Sequence, residues 1–504
     1  RGPPASAAAA ARGRAPGGPG PRHGRRWPLA RAATSTAKDV VPDTGSSSEF
    51  ASMLNLAKNI VGAGVLALPS GVAQVVSKSH AAGMESSNAV AWVLSIFVAF
   101  GALNALGFYL VGEACAVTGA TTYQGVWKKT LGDKFAWLPS TASVICCFTG
   151  MVACASVIGD VAADLSAGIP SVPHDAIWRD ELLCGLSAFI LLPLCLLPSL
   201  SPLAFASLLG MLGVLVLVVV MMQRMFDGSY QFGGEFFDSA MWKPDMLAFS
   251  MESGLPEVSV AAARQPPGAG GPLADALLLT ALLSNAYSAH YNSPAMFAEL
   301  QTPEGAAQDR GNAAKLNSFA IVTWGAFSLA LVLFLAVTSL GVGTFGSAVQ
   351  PSILNNYASS DPLAAFAKGG LGLCVLFEFP LLERCFRSTV AELLGLRPEV
   401  VLQPWVAAAS VGSACALACV PGLGLDKITA VGGALGASFL IYIAPALMSL
   451  KISEMKGPEV SAPGAYENPP ALRAARGLLL QGLAAFGAFL GLLGAVEAVV
   501  GRGV

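Results

Sequence analysis

Long apolar runs recur along almost the whole chain, and they limit what it can fold into. A helix that crosses a membrane needs about 20 mostly apolar residues, and the sequence contains repeated runs of roughly that length. Of 504 residues, 54% are hydrophobic and 12% are charged, against about a quarter charged in an ordinary soluble domain. The sequence therefore predicts an all-α, multi-pass integral membrane protein in contact with the lipid bilayer.

We number the apolar runs as segments 1 to 11 and expect about eleven transmembrane helices from them. Their expected limits, each within a few residues, are 50–77, 88–116, 136–163, 181–198, 203–224, 273–299, 315–342, 362–390, 403–420, 427–450 and 476–500. The ten cysteines fall in or beside these runs and form no CxxC pair, which favours packing roles over metal binding or disulfides. We expect no cofactor, no metal and, without a basic cluster beside aromatics, no nucleic-acid partner.

The distribution of basic residues predicts the orientation of the chain. Lys and Arg concentrate on the side of the N-terminus, and the short 117–134 connection carries Lys128, Lys129 and Lys134. The positive-inside rule then places the N-terminus inside. Residues 1–48 are expected to be a disordered basic tail or the remainder of a transit peptide. The plasma membrane and a vacuolar or other organellar membrane both stay open as locations.

Segment 1 carries an interruption of its own backbone. It reads NLAKNIVGAGVLALP over 55–69, with Gly62 and Gly64 about halfway along the helix. A break at membrane depth is tolerated only where the freed N–H and C=O groups face protein or a water-filled cavity. Two glycines alone are equally compatible with a close helix-packing site.

Segment 6 has a second interruption that favours a binding site. It reads LSNAYSAHYNSPAMFAEL over 283–300, and a polar stretch within this run is followed by Pro294. Segments 1 and 6 occupy corresponding positions in two five-segment halves, about 50–225 and 273–450, and such paired breaks indicate a transporter's binding site. Freed N–H groups suit a carboxylate and freed carbonyls suit an ammonium group, as in an amino acid. The expected substrate-binding residues are Asn59, Gly62, Ala63, Gly64, Val65, Ser288, His290, Tyr291 and Asn292.

These stretches resemble the amino acid/auxin permease family. NLAKNIVGAGVLALP is similar to its first-helix signature, N-L-x-x-x-x-x-G-x-G-x-L-x-x-P, and SAHYNSPAMFAEL is similar to its sixth helix. Supporting likenesses are PSLSPLAFASLLG (198–210), TFGSAVQPSILNNY (344–357) and VGGALGASFLIYIAPALMSLKI (431–452). Over about residues 50 to 500, the resemblance implies a five-plus-five inverted-repeat (LeuT-like) fold with helices 1 and 6 broken, an extra eleventh helix, and secondary active transport of amino acids.

Two charged residues lie deep in apolar segments, Lys58 in segment 1 and Glu378 in segment 8. A charge at mid-membrane costs at least about 2.5–3.5 kcal/mol and indicates function. By the resemblance, sodium-coupled relatives carry neutral oxygen-bearing side chains near both positions. We therefore expect a Lys58–Glu378 ion pair where sodium would sit, although Lys58 reaching the inner face, or another partner for Glu378, stays possible. Coupling would then use protons, through Glu378, Lys58 or His290, or be absent.

Other classes of function fit the sequence less well. No HExxH, GxGD or GxSG motif is present to support an intramembrane enzyme, so we expect no catalysis. An amino-acid sensor would use the same fold and pocket. An auxin-like carrier of indole compounds would need a larger pocket lined by aromatic side chains.

Overall fold

The computed structural model describes residues 47–81, 86–166, 176–197, 203–237, 272–302, 311–455 and 470–500. The basic tail up to residue 46 and most of the connection between segments 5 and 6 lie outside this part of the chain. Within it the chain is helical, and the β-type pairing is confined to an isolated bridge between Ser47 and Leu300.

Every predicted segment contains helix, and several segments contain more than one. Segment 1 comprises Glu49–Ile60, the 3₁₀ turn Ala63–Ala67 and Leu68–Ala81. Segment 2 is Ser86–Thr118, and segment 3 is Trp137–Ser166. Segment 4 comprises Ala176–Leu186, the π-turn Ser187–Leu191 and Leu192–Cys195, and segment 5 is Leu203–Asp227. Segment 6 comprises Pro272–Ala286, the 3₁₀ turn His290–Asn292 and Ser293–Glu299. Segment 7 is Gly311–Phe345, segment 8 is Pro362–Leu394, and segment 9 is Pro404–Ala418. Segment 10 comprises Leu425–Gly432, the π-turns Gly433–Ala437 and Phe439–Ile443, and Ala444–Met455, and segment 11 is Pro470–Val500. Short helices outside the segments are Tyr123–Leu131, Gly346–Ala348, Ile353–Asn356 and Pro398–Val401.

The predicted count of eleven membrane-crossing helices is only partly matched. In the described ranges, seven helices are long and apolar enough to cross a membrane, and the two halves of segment 1, bent by 45°, make an eighth if they form one span. Segments 4 and 6 are divided into shorter helices, and segment 9 has a single short apolar helix, Pro404–Ala418. The difference therefore comes from the divisions within segments 4 and 6 and from the short length of the helix in segment 9.

Segment 10 approaches its neighbours closely because of its glycines. A Cβ at Gly436 would lie 2.6 Å from the sulfur of Cys146 on segment 3, and a Cβ at Gly433 would collide with the carbonyl of Ala281 on segment 6. Both glycines lie in the π-turn Gly433–Ala437. Because these two glycines have no side chain, segment 10 can pack closely against segments 3 and 6.

Segments 3 and 8 pack along their length in antiparallel register. Four facing pairs mark it: Asp164 with Lys368, Val161 with Gly372, Gly150 with Leu382, and Phe148 with Phe386. Moving a given number of residues forward along segment 3 therefore moves the facing position the same number of residues backward along segment 8, to within two residues. This register fixes which side chains meet at each depth of the molecule.

Buried charges near one end of segment 8 all have partners. Lys368 is 1% exposed, and its ammonium donates to Asp164 at 2.5 Å and to the carbonyl of Tyr357 at 2.6 Å. The carboxylate of Asp361 accepts two hydrogen bonds from Arg224, at 2.6 and 2.8 Å. These bonds tie the connection between segments 7 and 8 to segments 3 and 5.

Asp361 also caps the helix that it precedes. Its Oδ1 accepts from the backbone N–H of Leu363 at 3.0 Å, and its Oδ2 accepts from the Tyr230 hydroxyl at 2.9 Å. Burial alone would raise the pKa of Asp361, but the hydrogen bonds from Arg224 and Tyr230 bring that pKa below its usual value. Asp361 is therefore held as a carboxylate.

Candidate functional site

The break in segment 1 is centred on Val61 and Gly62. The first helix ends at Ile60, and Gly62 is extended, with φ −103° and ψ −155°. Its N–H turns back to the carbonyl of Ile60 at 3.0 Å, whereas a continuous helix would direct it to Lys58. The carbonyls of Lys58 and Asn59 are thereby released. The N–H groups of Ala63 and Gly64, at the start of the next helical turn, have no backbone acceptor in the described chain.

The break in segment 6 comes before Pro294, not at it. The helix ends at Ala286, and the N–H groups of Ser288 and Ala289 bond to the nearby carbonyls of Asn285 and Tyr287, each at 3.0 Å. Helix resumes at Ser293, so Pro294 lies in a first turn, where its missing N–H costs nothing. Segment 6 is therefore broken around Tyr287–Asn292, as the sequence predicts.

The two breaks lie side by side. A Cβ at Gly64 would lie 3.1 Å from the Cα of Ala286, the last residue of the first helix of segment 6. A side chain at residue 64 would therefore push the two backbones apart. The close approach explains the glycine without any special backbone angle.

A cavity lies between the breaks and is closed by segments 3 and 8. It encloses about 460 Å³ of unfilled space, a volume that includes the part open to solvent. Seven residues predicted for the substrate or ion site line it: Asn59, Gly62, Ala63, Gly64, Ser288, Tyr291 and Glu378. The structure brings these residues together. Four others that were predicted do not line it: Lys58, Val65, His290 and Asn292.

Glu378 lies directly against the break in segment 1. A Cβ at Gly62 would lie 2.6 Å from its Oε2, so the carboxylate occupies the space that a side chain at residue 62 would need. Glu378 is 8% exposed, and its Oε2 has no hydrogen-bond partner in the described chain. The amide nitrogen of Asn59 is likewise buried without a partner. Asn59 and Glu378 thus both line the cavity, and each carries a buried polar atom without a partner.

The expected ion pair between Lys58 and Glu378 is not formed. Lys58 is 4% exposed and is the charged group that acts electrostatically on Glu378, but the two make no salt bridge. The carboxylate packs against Gly62, one helical turn beyond Lys58, because the absent side chain leaves room there. The prediction of a direct pair was wrong for this conformation, while both charges are buried next to the break.

His290 packs away from the cavity, contrary to its expected role in substrate binding. It is fully buried, and its Nε2 lies 2.9 Å from the backbone carbonyl of Asn104 on segment 2. Its ring meets Phe108 edge to face, with centroids 5.5 Å apart. Because successive residues of the turn point in different directions, Tyr291 faces the cavity while His290 anchors the turn to segment 2.

Several cavity residues were not predicted from the sequence. They are Ile60, Cys146, Gly150, Ala153, Cys154, Asn285, Ala286 and Leu382. The segment 3 residues among them lie on one helical face, with spacings of four, three and one residue. Leu382 lies one turn beyond Glu378 on segment 8. That spacing was available as a signal, but only after the face of segment 3 that meets segments 1 and 6 was known.

Comparison with known proteins settles the family. The model of the family described as "Transmembrane amino acid transporter protein" matches residues 45–460, which is most of the chain. The chain belongs to this family. This is the amino acid/auxin permease family that its motifs suggested, and the chain is a multi-pass integral membrane protein rather than an enzyme.

Individual relatives are distant but cover most of the chain. A Danio rerio protein named "Putative sodium-coupled neutral amino acid transporter 11" is 23% identical over 428 residues, covering 81% of this chain and 80% of the relative. The "Sodium-coupled neutral amino acid transporter 7" of Mus musculus is 23% identical over 362 residues, covering 69% and 65%.

A solved structure supports the fold alone. The manganese transporter of Eremococcus coleocola, crystallised with an aromatic bis-isothiourea compound, matches with a TM-score of 0.50 at 14% identity, over 91% of this chain and 90% of that one. The LeuT-like fold class, with broken helices 1 and 6, is thereby confirmed.

Proposed function

We propose that this protein is a secondary active transporter of amino acids that works by alternating access, coupled to protons or uncoupled, and not coupled to sodium. The observation that carries the proposal is the pair of adjacent breaks around one cavity. The N-terminus is proposed to lie inside, in the plasma membrane or in a vacuolar or organellar membrane.

The freed backbone groups suit the two charged ends of an amino acid. The N–H groups of Ala63 and Gly64 begin a helical turn and would receive a carboxylate. The released carbonyl of Asn59 and the hydroxyl of Ser288 would receive the ammonium group. The substrate side chain would extend toward segments 3 and 8, where Gly150 and Ala153 leave space.

Glu378 supports protons as the coupling ion. Its carboxylate lies against Gly62, next to the N–H groups proposed for the substrate carboxylate. Two carboxylates that share a site cannot both stay ionised at low cost. A protonated Glu378 is compatible with bound substrate, and an ionised one repels it, so substrate and proton would bind together.

Lys58 is the reason to propose transport without sodium. A buried ammonium that acts on Glu378 adds positive charge where a sodium ion would have to bind. The two relatives described above are named as sodium-coupled, so a sodium requirement is the main competing outcome.

The two alternative functions, an indole carrier and an amino-acid sensor, make different requirements of the cavity. A carrier of indole compounds would need several aromatic side chains, and among the described lining residues Tyr291 is the aromatic one. This favours ordinary amino acids. A sensor would bind the same ligands without net transport, so only a flux measurement separates it from a carrier.

Uptake into proteoliposomes tests the proposal. The purified protein would be offered a panel of radiolabelled amino acids, with sodium or choline outside and with or without an inward proton gradient. We expect saturable uptake of at least one amino acid in choline. Binding without uptake would support the sensor, and uptake that needs sodium would refute the proposed coupling.

A further inference from the structure

Two cysteines face each other below the cavity. Cys147 on segment 3 and Cys385 on segment 8 lie at the level of the facing pair Phe148–Phe386, whose ring centroids are 5.5 Å apart. The register that pairs Gly150 with Leu382 also places Cys147 opposite Cys385, three residues away from that pair on each segment. The antiparallel packing of the two segments therefore brings the two cysteine side chains next to each other, and nothing in the proposed transport cycle uses them.

Cys385 is the more accessible cysteine of the pair. Cys147 is fully buried, but Cys385 is only partly buried. Thr389, one turn further along segment 8, interacts with Cys385, and Glu392 lies exposed on the next turn beside Lys128. Because Cys385 is the less buried of the two cysteines and lies nearer these polar side chains, we expect an oxidant to react with Cys385 before Cys147.

A covalent bond between the two sulfurs requires close and correctly directed side chains. A disulfide needs Cβ atoms about 3.5–4.5 Å apart and side chains that point toward each other. Facing positions on two closely packed helices can supply both, and the absence of a side chain at Gly150, three residues from Cys147, lets the helices approach.

We propose that Cys147 and Cys385 form a peroxide-sensitive thiol pair that closes to a disulfide and thereby slows transport. The Cys385 thiolate attacks hydrogen peroxide, the O–O bond breaks, and a sulfenic acid forms while hydroxide takes up the thiol proton as water. The Cys147 thiolate then attacks the Cys385 sulfur, the S–S bond forms, and the S–O bond breaks. The leaving hydroxide takes the Cys147 proton, so two thiols are oxidised and one peroxide is reduced to two waters.

The position of the pair explains why its oxidation would affect transport. Leu382, one turn from Cys385 toward the cavity, lines that cavity, and Tyr291 of segment 6 lines it as well. A covalent tie would fix segments 3 and 8 next to the break in segment 6. Only this effect on uptake rests on the proposed function, because disulfide formation itself does not require transport.

Mass spectrometry of the full-length protein in proteoliposomes tests the chemistry. After hydrogen peroxide, and blocking of remaining thiols with N-ethylmaleimide, we expect a crosslinked peptide that joins Cys147 to Cys385 and the loss of two free thiols. In Cys147→Ala the sulfenic acid cannot be resolved, so dimedone should label Cys385. Cys385→Ala should show no peroxide product at Cys147. Cys115→Ala, which removes a buried cysteine of segment 2, is the control and should crosslink normally.

Uptake in the same vesicles tests the consequence. Peroxide should lower uptake by the unmodified protein and by Cys115→Ala to less than half, and dithiothreitol should restore it. Uptake by Cys147→Ala and Cys385→Ala should resist peroxide. An absent crosslink, a disulfide between other cysteines, or a crosslink that leaves uptake unchanged would overturn the proposal. If no amino acid is transported, the crosslinking experiment still decides whether the pair forms.

Discussion

Lys368 and Glu378 lie ten residues apart on segment 8, both are buried, and their surroundings differ in kind. Lys368 donates to a carboxylate and to a backbone carbonyl. Glu378 has an oxygen with no partner and faces a cavity. Leaving a buried charge unpaired is costly. The comparison teaches that one charge holds the fold together, whereas the other is left available for a ligand or a proton.

The largest expected effect comes from filling the space that Glu378 occupies. Gly62→Val should abolish uptake, because the new side chain would collide with the carboxylate and distort the break. The check is uptake by variants that are matched for expression and insertion. Gly412→Val, on segment 9 where a Cβ would meet nothing within 4 Å, is the control and should retain uptake. Normal uptake by Gly62→Val would mean that the break does not form the binding site.

Removing the partnered charge should mainly cost stability. Lys368→Met leaves Asp164 and the carbonyl of Tyr357 without their donor, and an unsatisfied buried group costs about 1–3 kcal/mol. Asp164 is partly exposed, so the lower half of that range is expected. Thermal unfolding in detergent would measure the loss. A variant as stable as the unmodified protein would remove the contrast with Glu378.

Removing the unpartnered charge should leave stability unchanged or slightly raised. Glu378→Gln keeps the shape of the side chain and eliminates the cost of burying a carboxylate that has an oxygen without a hydrogen-bond partner. The same unfolding assay would compare it with Lys368→Met. If Glu378→Gln proves the less stable of the two, Glu378 has a structural partner that the static structure does not display.

The smallest expected effect is the coupling between Lys58 and Glu378. Residues in contact show coupling energies of about 0.5–3 kcal/mol, but these two form no ion pair. A double-mutant cycle of Lys58→Ala and Glu378→Gln, read out by unfolding, should give a value in the lower part of that range. A value near the top would show that the direct pair forms in another conformation of the cycle.

The sequence predicted the membrane class, the two breaks and most of the residues around them. Glycines within segment 1 and the polar stretch of segment 6 are local signals, and they identify breaks without knowledge of packing. The orientation of single side chains is not local. His290 turns toward Asn104 and Tyr291 toward the cavity, a difference that depends on how segment 6 lies against segment 2.

The role of segment 3 in lining the cavity could also not be predicted from the sequence. Cys146, Gly150 and Cys154 form one face of a helix that is apolar all round, so periodicity does not distinguish that face from the others. The prediction of an ion pair between Lys58 and Glu378 was wrong for a related reason. Opposite charges on two segments suggested contact, but the position of Glu378 is determined by the missing side chain of Gly62.

The central claim is that Glu378 is the charge left available for coupling, and sodium-free uptake driven by a proton gradient tests it most directly. Proteoliposomes holding the unmodified protein or Glu378→Gln would be compared in choline, with and without an acidic outside, using an amino acid shown to be a substrate. We expect the gradient to accelerate uptake by the unmodified protein and to have no effect on Glu378→Gln. Uptake that requires sodium, or an equal response to the gradient in both proteins, would contradict the account.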